Sequence, residues 1–299
     1  MAKQPRALDH FVLPVEDLAV ARRRYESLGF TVAPDAQHPF GTCNCCVFLE
    51  DGTFLEPLAV CDADGYRAAL GDGNGFVGND ARFRAAVGDT GFSQIVLQTV
   101  DALADDETFL DEGISGGPVL DFGRKFARPD GSTGEVAFRL AFASPDDDAC
   151  SAGFFACQVV KSVPGGRGAL TQHRNGALVT VGVIATASDP MEMDDFLQTF
   201  LQTESEAGVE VFYPLENSVV RVLTPDIYEE VLGIAAPDAE AFRLAALIVG
   251  VDQLDDVRAC VTGNAVAHVE RPGWLIVPPA PGQGLAIIFQ QAASVEGEV

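Results

Sequence analysis

Apolar residues recur along the chain in four similar segments, each of which predicts a buried strand followed by a helix. The first two segments are DHFVLPVED, residues 9–17, and SQIVLQTVD, residues 93–101. Two further copies are VGVIATASD from Val181 and LAALIVGVD from Leu244. The aspartate that ends each segment favours the start of a helix. A glycine follows each helical stretch, in LGF, EGI, AGV and TGN, as is usual at helix C-termini.

After the helix of the first segment come three strand-like stretches, FTVAP, CNCCVFL and TFLEPLAV. The last two are separated by Asp51-Gly52, a dipeptide typical of a hairpin turn. The pattern therefore predicts a β-α-β-β-β module that is used four times. The module ranges are residues 7–60, 92–160, 179–223 and 243–290.

Repeated modules of this size predict pairing, because one module alone cannot bury the face of its sheet. Two pairs give two domains, residues 1–175 and 176–299, and a fold of the α+β class with curved mixed sheets. The segment 61–91 is rich in glycine, aspartate and asparagine, and we expect it to separate the first two modules.

Charge and composition narrow the classes of partner. The 19 basic and 44 acidic residues give a net charge of −25, which disfavours nucleic acids and anionic membranes. No apolar run approaches the roughly 18 residues of a membrane helix, and no apolar segment follows the basic MAKQPR as in a signal peptide. We therefore expect a cytoplasmic protein that acts on a small molecule. The seven cysteines predict no disulfide framework, and those of CNCC are interpreted as buried strand residues.

A histidine and a glutamate interrupt apolar strands in the first module. His10 lies inside LDHFVLP and Glu56 inside TFLEPLAV. A histidine in such a strand is often a core residue with satisfied hydrogen bonds. A carboxylate that alternates with Phe54 and Leu58 on a strand face is costly to bury without a partner. The two residues together indicate a polar site rather than a purely structural core.

Four motifs of the first half are similar to those of a known family. They are LDHFVLPVEDLAVARRRYESLGFTV, HPFGTCNCCVFLEDGTFLEPLAV, FFACQ and QHRNGA. Through them the chain resembles the vicinal oxygen chelate superfamily, and within it the glyoxalase-like domain proteins. The resemblance covers residues 7–185, and the remainder matches only through the repeat. It implies paired modules that form a U-shaped sheet around a divalent metal, with ligands on the first and last strand of each module.

The resemblance implies one divalent ion (Zn, Ni, Co, Mn or Fe) held by His10, Glu56 and Gln94. A gap-free alignment places Ala156 at the fourth ligand position, and shifted alignments place Gln158 or Cys157 there, so the fourth ligand is Gln158, Cys157 or water. In the second half Gly182 and Ala245 occupy the first-strand ligand positions, and the candidate last strands carry no carboxylate. This pair of modules is expected to be a degenerate domain that covers the first, supports it or forms a homodimer.

Further residues are candidates for the pocket. His38 and His173 lie in polar turns and are either proton carriers or residues that bind backbone carbonyls. Arg124 and Arg139 lie on neighbouring strands, where they hold a substrate anion or pair with surface acids. The expected catalytic residues are therefore Glu56, His38 and His173. The expected substrate-binding residues are Arg124, Arg139, Phe40, Phe54 and Phe155.

Three activities are compatible with such a site. A metal-dependent lyase or isomerase of the glyoxalase I type would act on a small oxygen-rich substrate. A metal-free binding protein of the drug-resistance type would use the same sheet as an apolar groove. An extradiol dioxygenase needs two histidines and one carboxylate. Since Gln94 stands where a second histidine would be expected, only His38 or His173 could complete that triad.

Overall fold

The first half contains the predicted modules and two additional helices between them. The computed structural model describes residues 4–127, 133–146, 150–162, 167–237 and 241–292. The strands are β1 Leu8–Pro14, β2 Ala36–Gln37, β3 Thr42–Asn44, β4 Val47–Phe48, β5 Phe54–Val60, β6 Gln94–Thr99, β7 Leu120–Ala127, β8 Thr133–Ala143 and β9 Gly153–Lys161. The helices are α1 Leu18–Ser27, α2 Ala63–Gly71, α3 Gly75–Val87 and α4 Ala102–Asp111.

The second half repeats the order with shorter outer strands. Its strands are β10 Ala177–Thr186, β11 Glu206–Ala207, β12 Val211–Pro214, β13 Val219–Leu223, β14 Arg243–Val251, β15 Val269–Arg271, β16 Trp274–Val277 and β17 Ala286–Gln291. Its helices are α5 Asp194–Leu201, α6 Pro225–Leu232 and α7 Leu254–Gly263. Within the described ranges, every helix is too short or too polar to cross a lipid bilayer.

The first sheet joins the two N-terminal modules through their first strands. Its order is β2-β3-β5-β1-β6-β9-β8-β7, and β4 also pairs with β5. Strand β1 runs antiparallel to β6, with Val12 opposite Gln94 and His10 opposite Val96. The second sheet has the corresponding order, β11-β12-β13-β10-β14-β17-β16-β15. The predicted α+β fold of paired modules is confirmed, including the pairing of the His10 strand with the Gln94 strand.

The repeated aspartate and glycine have clear local roles in the first two modules. Asp17 accepts hydrogen bonds from the first backbone amides of α1, and Asp101 does the same for α4. These N-caps satisfy amides that have no partner inside the helix. Gly29 and Gly113 follow the two helices with φ of 92° and 72°, which is the left-handed region that glycine adopts without strain.

The segment 61–91 separates the first two modules as expected, and it contains two helices. These are α2 and α3, which begin at the N-caps Asp62 and Asn74. The stretch FTVAP, residues 30–34, forms no strand, and the chain enters the sheet only at β2. The prediction of a strand over residues 30–34 was therefore wrong.

Apolar residues pack on both faces of the first sheet. The outer face packs on α1, α4 and the second sheet in one continuous core that includes Phe11, Tyr25, Phe109, Phe154 and Phe289. The inner face carries a separate cluster that includes Val12, Phe40, Val96, Phe142 and Phe155, and α3 adds Phe76 and Val77 to it. The inner face of the second sheet is filled by aliphatic residues together with Tyr228.

Candidate functional site

The predicted ligands His10, Glu56 and Gln94 lie in two neighbouring rows of side chains on the inner face of the first sheet. Residues that are paired directly on adjacent strands point to the same face. Glu56, Val12 and Gln94 form one such row across β5, β1 and β6. Phe54, His10 and Val96 form the next row. The structure therefore places His10, Glu56 and Gln94 on one face of the sheet.

The imidazole of His10 is fixed by a neighbouring carboxylate and two aromatic rings. A bulge in β1 between Leu8 and His10 brings the Asp9 carboxylate to 2.5 Å from His10 Nδ1. The ring stacks on Phe54 at 4.4 Å and meets the edge of Phe155 at 5.7 Å. Because an ionised carboxylate only accepts hydrogen bonds, Nδ1 carries the proton and Nε2 keeps a free lone pair.

Glu56 lies between two imidazoles. Its Oε2 is 3.6 Å from His10 Nε2, and its Oε1 is 3.6 Å from His38 Nε2. The Asn44 side-chain amide donates to Oε1 at 2.6 Å. Burial raises the pKa of Glu56, and His10 and the Asn44 hydrogen bond oppose that rise. The carboxylate is thus buried and faces two nitrogen atoms at distances too long for direct hydrogen bonds.

His38 enters this cluster from the turn after β2. Its Nδ1 lies 2.9 Å from Thr42 Oγ1, and its ring stacks on Phe40 at 5.0 Å. The Nδ2 donor of Asn44 lies 3.5 Å from Nε2, so Nε2 is the acceptor nitrogen. Burial and the nearby positive charge of Arg124 lower the pKa of His38 to about 3. His38 is therefore a neutral imidazole at ordinary pH.

Gln94 does not offer an oxygen to this cluster. Its Oε1 accepts a hydrogen bond from Asn79 at 3.1 Å, while its buried Nε2 has no partner among the described residues. An amide N–H is a donor and not a metal ligand. The predicted role of Gln94 as a ligand therefore does not fit its observed contacts, whereas a role as a donor to a bound oxygen does.

Gly153 provides the space for the Gln94 amide. A Cβ at this position would lie 2.7 Å from Gln94 Oε1 and 2.8 Å from Asn79 Nδ2. We expect Gly153→Ala to displace Gln94 and to lower the free energy of unfolding by about 1–3 kcal/mol. Urea denaturation measures the change. Gly71→Ala is the control, because nothing lies within 4 Å of a Cβ there, and equal losses in both variants would contradict the expectation.

The fourth ligand position is occupied by an aromatic residue. Val12 pairs with Glu56, and its repeat counterpart Val96 pairs with Phe155, so Phe155 takes the place of a second glutamate. The sequence alignments, which placed Ala156, Cys157 or Gln158 there, were out of register.

The Gln158 side chain lies on the outer face of the sheet. Its amide donates to the carbonyl of Val100 at 2.6 Å and accepts from the Ala102 amide at 3.3 Å. These contacts stabilise the start of α4. The predicted ligand role of Gln158 is therefore a misassignment, because strand alternation points this residue away from His10.

The two arginines of the second module lie on opposite faces. Arg139 pairs with Asp121 at 2.8 Å on the outer face, so the structure does not place it in the site. Arg124 follows Phe122 on the inner face, and its charge acts on both His38 and Glu56. Its Nη1 is buried with no hydrogen-bond partner in the described part of the chain.

His173 lies outside the cluster. Its Nδ1 accepts from the Thr31 amide at 3.0 Å, and its Nε2 lies 2.9 Å from the Phe48 carbonyl oxygen. Burial lowers its pKa. Both ring nitrogens are engaged with backbone groups, so the structure assigns His173 a structural position and not the predicted catalytic one. The histidine of VAHVERPGW, His268, binds the Val266 carbonyl in the second half.

Sequence reasoning missed Asp9 and Asn44, which orient His10 and Glu56. The signal for Asp9 was its position directly before the strand histidine. Asn44 is the single residue of CNCC that is not a cysteine, which is the signal that could have identified it. The candidate apolar residues Phe40, Phe54 and Phe155 do lie here, each in ring contact with an imidazole of the site.

The donor chemistry of this cluster fits a divalent ion of borderline hardness. Within the described ranges, no group of three or more His, Cys, Asp or Glu side chains has the spacing of a preformed metal site. The Nε2 atoms of two imidazoles, His10 and His38, nevertheless face one carboxylate at 3.6 Å each. Ligands that share an ion at roughly 2.0–2.2 Å stand about 3–3.5 Å apart. The Asp9 carboxylate at His10 Nδ1 also matches the acceptors that orient metal-bound histidines.

Comparison with known proteins places the chain in a family. The model of the glyoxalase-like domain family matches residues 8–201. No curated protein matches the sequence.

Solved structures share the fold at low sequence identity. A hypothetical protein from Staphylococcus aureus has a TM-score of 0.69 at 14% identity, and the match covers 96% of this chain and 99% of that one. A variant of 4-hydroxymandelate synthase from Streptomyces coelicolor has a TM-score of 0.60 at 13% identity, and the match covers 98% of this chain and 94% of that one. A catechol 2,3-dioxygenase has a TM-score of 0.51 at 12% identity, and the match covers 97% of this chain and 89% of that one. The family match extends over well over half of the chain, which therefore belongs to the glyoxalase-like domain family of the vicinal oxygen chelate superfamily.

Proposed function

We propose that the first half of the chain is a divalent-metal-dependent lyase or isomerase that moves a proton on a small oxygen-rich substrate. The observation that carries the proposal is the buried Glu56 carboxylate between the lone pairs of His10 and His38. A purely apolar binding groove has no use for a buried carboxylate, which is costly to desolvate.

In this proposal His10, His38 and Glu56 hold the ion, which when bound polarises the substrate oxygens. Asp9 and Phe54 keep the His10 ring in place. Glu56 takes a proton from the substrate and returns it, because its carboxylate lies at the centre of the cluster, within reach of a substrate held there. The unpartnered Nε2 of Gln94 is available to donate to a substrate oxygen.

Replacing the Asp9 carboxylate, which contacts His10 Nδ1, tests metal binding without removing a proposed ligand. We expect Asp9→Asn to weaken divalent metal affinity by about 10–100-fold, since it removes the acceptor that orients Nδ1–H. Competition with a chromophoric chelator measures the affinity. Asp121→Asn, which removes the surface partner of Arg139, is the control, and equal affinities for wild type and Asp9→Asn would contradict the proposed ligand.

Activity is tested by screening metal-loaded protein against 2-oxoaldehyde–thiol adducts, catechols and 2-oxo acids. The proposal expects turnover that disappears with chelator and returns with added metal. Tight binding without turnover, equal with and without chelator, would instead favour a metal-free binding protein.

A second candidate function is oxygenation. With His38 as a ligand beside His10 and Glu56, the site offers two histidines and one carboxylate, the ligand set of non-haem Fe(II) oxygenases. Fe(II)-loaded protein would then consume O₂ in the presence of a catechol or a 2-oxo acid, which an oxygen electrode detects. Turnover with Zn or Ni and no O₂ consumption favours the lyase or isomerase.

A further inference from the structure

Arg124 carries a hydrogen-bond donor that the described structure does not use. Its Nη1 is buried and has no partner among the described residues. The neighbouring cations are engaged, because Arg139 binds Asp121 and Arg167 donates to the Gly52 carbonyl at 2.6 Å. A buried donor without an acceptor is costly, so this position favours a ligand that supplies an oxygen.

An aromatic surface adjoins this donor. Phe122 and Arg124 are two residues apart on β7 and therefore share a face of the sheet. The Phe122 ring stacks on Phe138 at 5.2 Å and meets the edges of Phe40 and His38 at 5.2 and 5.7 Å. Phe122 and Phe138 are only partly buried. A ligand bound to Arg124 thus meets flat apolar rings beside its charged group.

Local charge limits the ligand to a single negative charge. Asp9 and Glu56 lie beside His10 in the same site, and Arg124 Nη1 is a buried donor without a partner among the described residues. These carboxylates would repel a phosphate dianion more strongly than a ligand with one negative charge. A carboxylate carries a single negative charge and is therefore repelled less. The neighbouring aromatic side chains favour a ligand with a planar ring, which makes offset-stacked or edge contacts with them.

We propose that Arg124 and the Phe122–Phe138 pair form a subsite for an aromatic monocarboxylate. That such a ligand is also the substrate rests on the proposed function, whereas its binding to the subsite does not require the metal.

The experiment titrates the full chain with 4-fluorobenzoate in the presence of chelator, by calorimetry and fluorine NMR. We expect binding to wild type, weakened about tenfold to a hundredfold in Arg124→Gln and less in Arg124→Lys. Arg139→Gln is the matched control and should bind within about twofold of wild type. Phe122→Leu should weaken 4-fluorobenzoate but not acetate, and thermal melts establish that each variant is folded.

Neutral and multivalent probes complete the test. We expect 4-fluorobenzamide to bind wild type no better than 4-fluorobenzoate binds Arg124→Gln, and inorganic phosphate not to displace 4-fluorobenzoate. Equal binding by wild type and folded Arg124→Gln, displacement by phosphate, or no binding to wild type would overturn the proposal. A chain that binds 4-fluorobenzoate through Arg124 but turns over no substrate when metal-loaded refutes the proposed function and leaves this subsite in place.

Discussion

Replacing Glu56 with glutamine is expected to abolish metal-dependent turnover, by a factor of at least about 100. The amide cannot take up a proton as a carboxylate does, and it is a poor ligand for the ion that His10 and His38 would share. The fold should persist, because Gln retains the size of Glu and a partner for Asn44. Initial rates on any substrate found by the screen, together with metal content, measure both effects.

Glu210→Gln is the control for that variant. Glu210 is a partly buried glutamate that accepts two hydrogen bonds from Arg221 in the second sheet, and it lies outside the proposed site. Its turnover should match wild type. Turnover that survives in Glu56→Gln at the wild-type rate would place the chemistry elsewhere in the chain.

Replacing Phe154 with alanine is expected to lower the free energy of unfolding by about 3–5 kcal/mol. Phe154 is fully buried at the junction of the two halves, where its ring contacts Phe196 at 4.9 Å, Phe200 at 5.4 Å and Phe242 at 6.2 Å. Because one apolar core extends over both sheets, we expect urea to unfold wild type and variant in a single transition.

Val209→Ala is the control for stability, since Val209 is 77% exposed and should change it by less than about 0.5 kcal/mol. Two separate transitions, of which Phe154→Ala shifts only one, would contradict the view that the halves share a core.

The fold was predictable because the repeat specifies the register of the first strands. The repeat aligns His10 with Gln94 and Val12 with Val96, and in the antiparallel pair of first strands Val12 lies opposite Gln94 and His10 opposite Val96. Glu56 was identifiable for a different reason, since a lone acid in an apolar strand stands out in the pattern.

The rest of the site depends on distances that no local pattern encodes. His38 reaches Glu56 because the curled sheet brings the turn after β2 over β5, and Phe122 from the opposite edge comes within 5.7 Å of His38. The fourth position was misassigned because the acidic segment before β9 has a length that the repeat does not constrain. The resemblance implies a ligand at Gln94 from its register with His10, whereas its hydrogen bond to Asn79 depends on α3, a helix that the repeat does not contain.

The most direct test of the metal site is X-ray absorption fine structure of the metal-loaded chain. We expect two imidazole ligands and further oxygen ligands in wild type, with one imidazole in His38→Ala and two in the control His173→Ala. Thiolate sulfur in the spectrum, or the same two imidazoles in wild type and in His10→Ala, would contradict a site built from His10, His38 and Glu56.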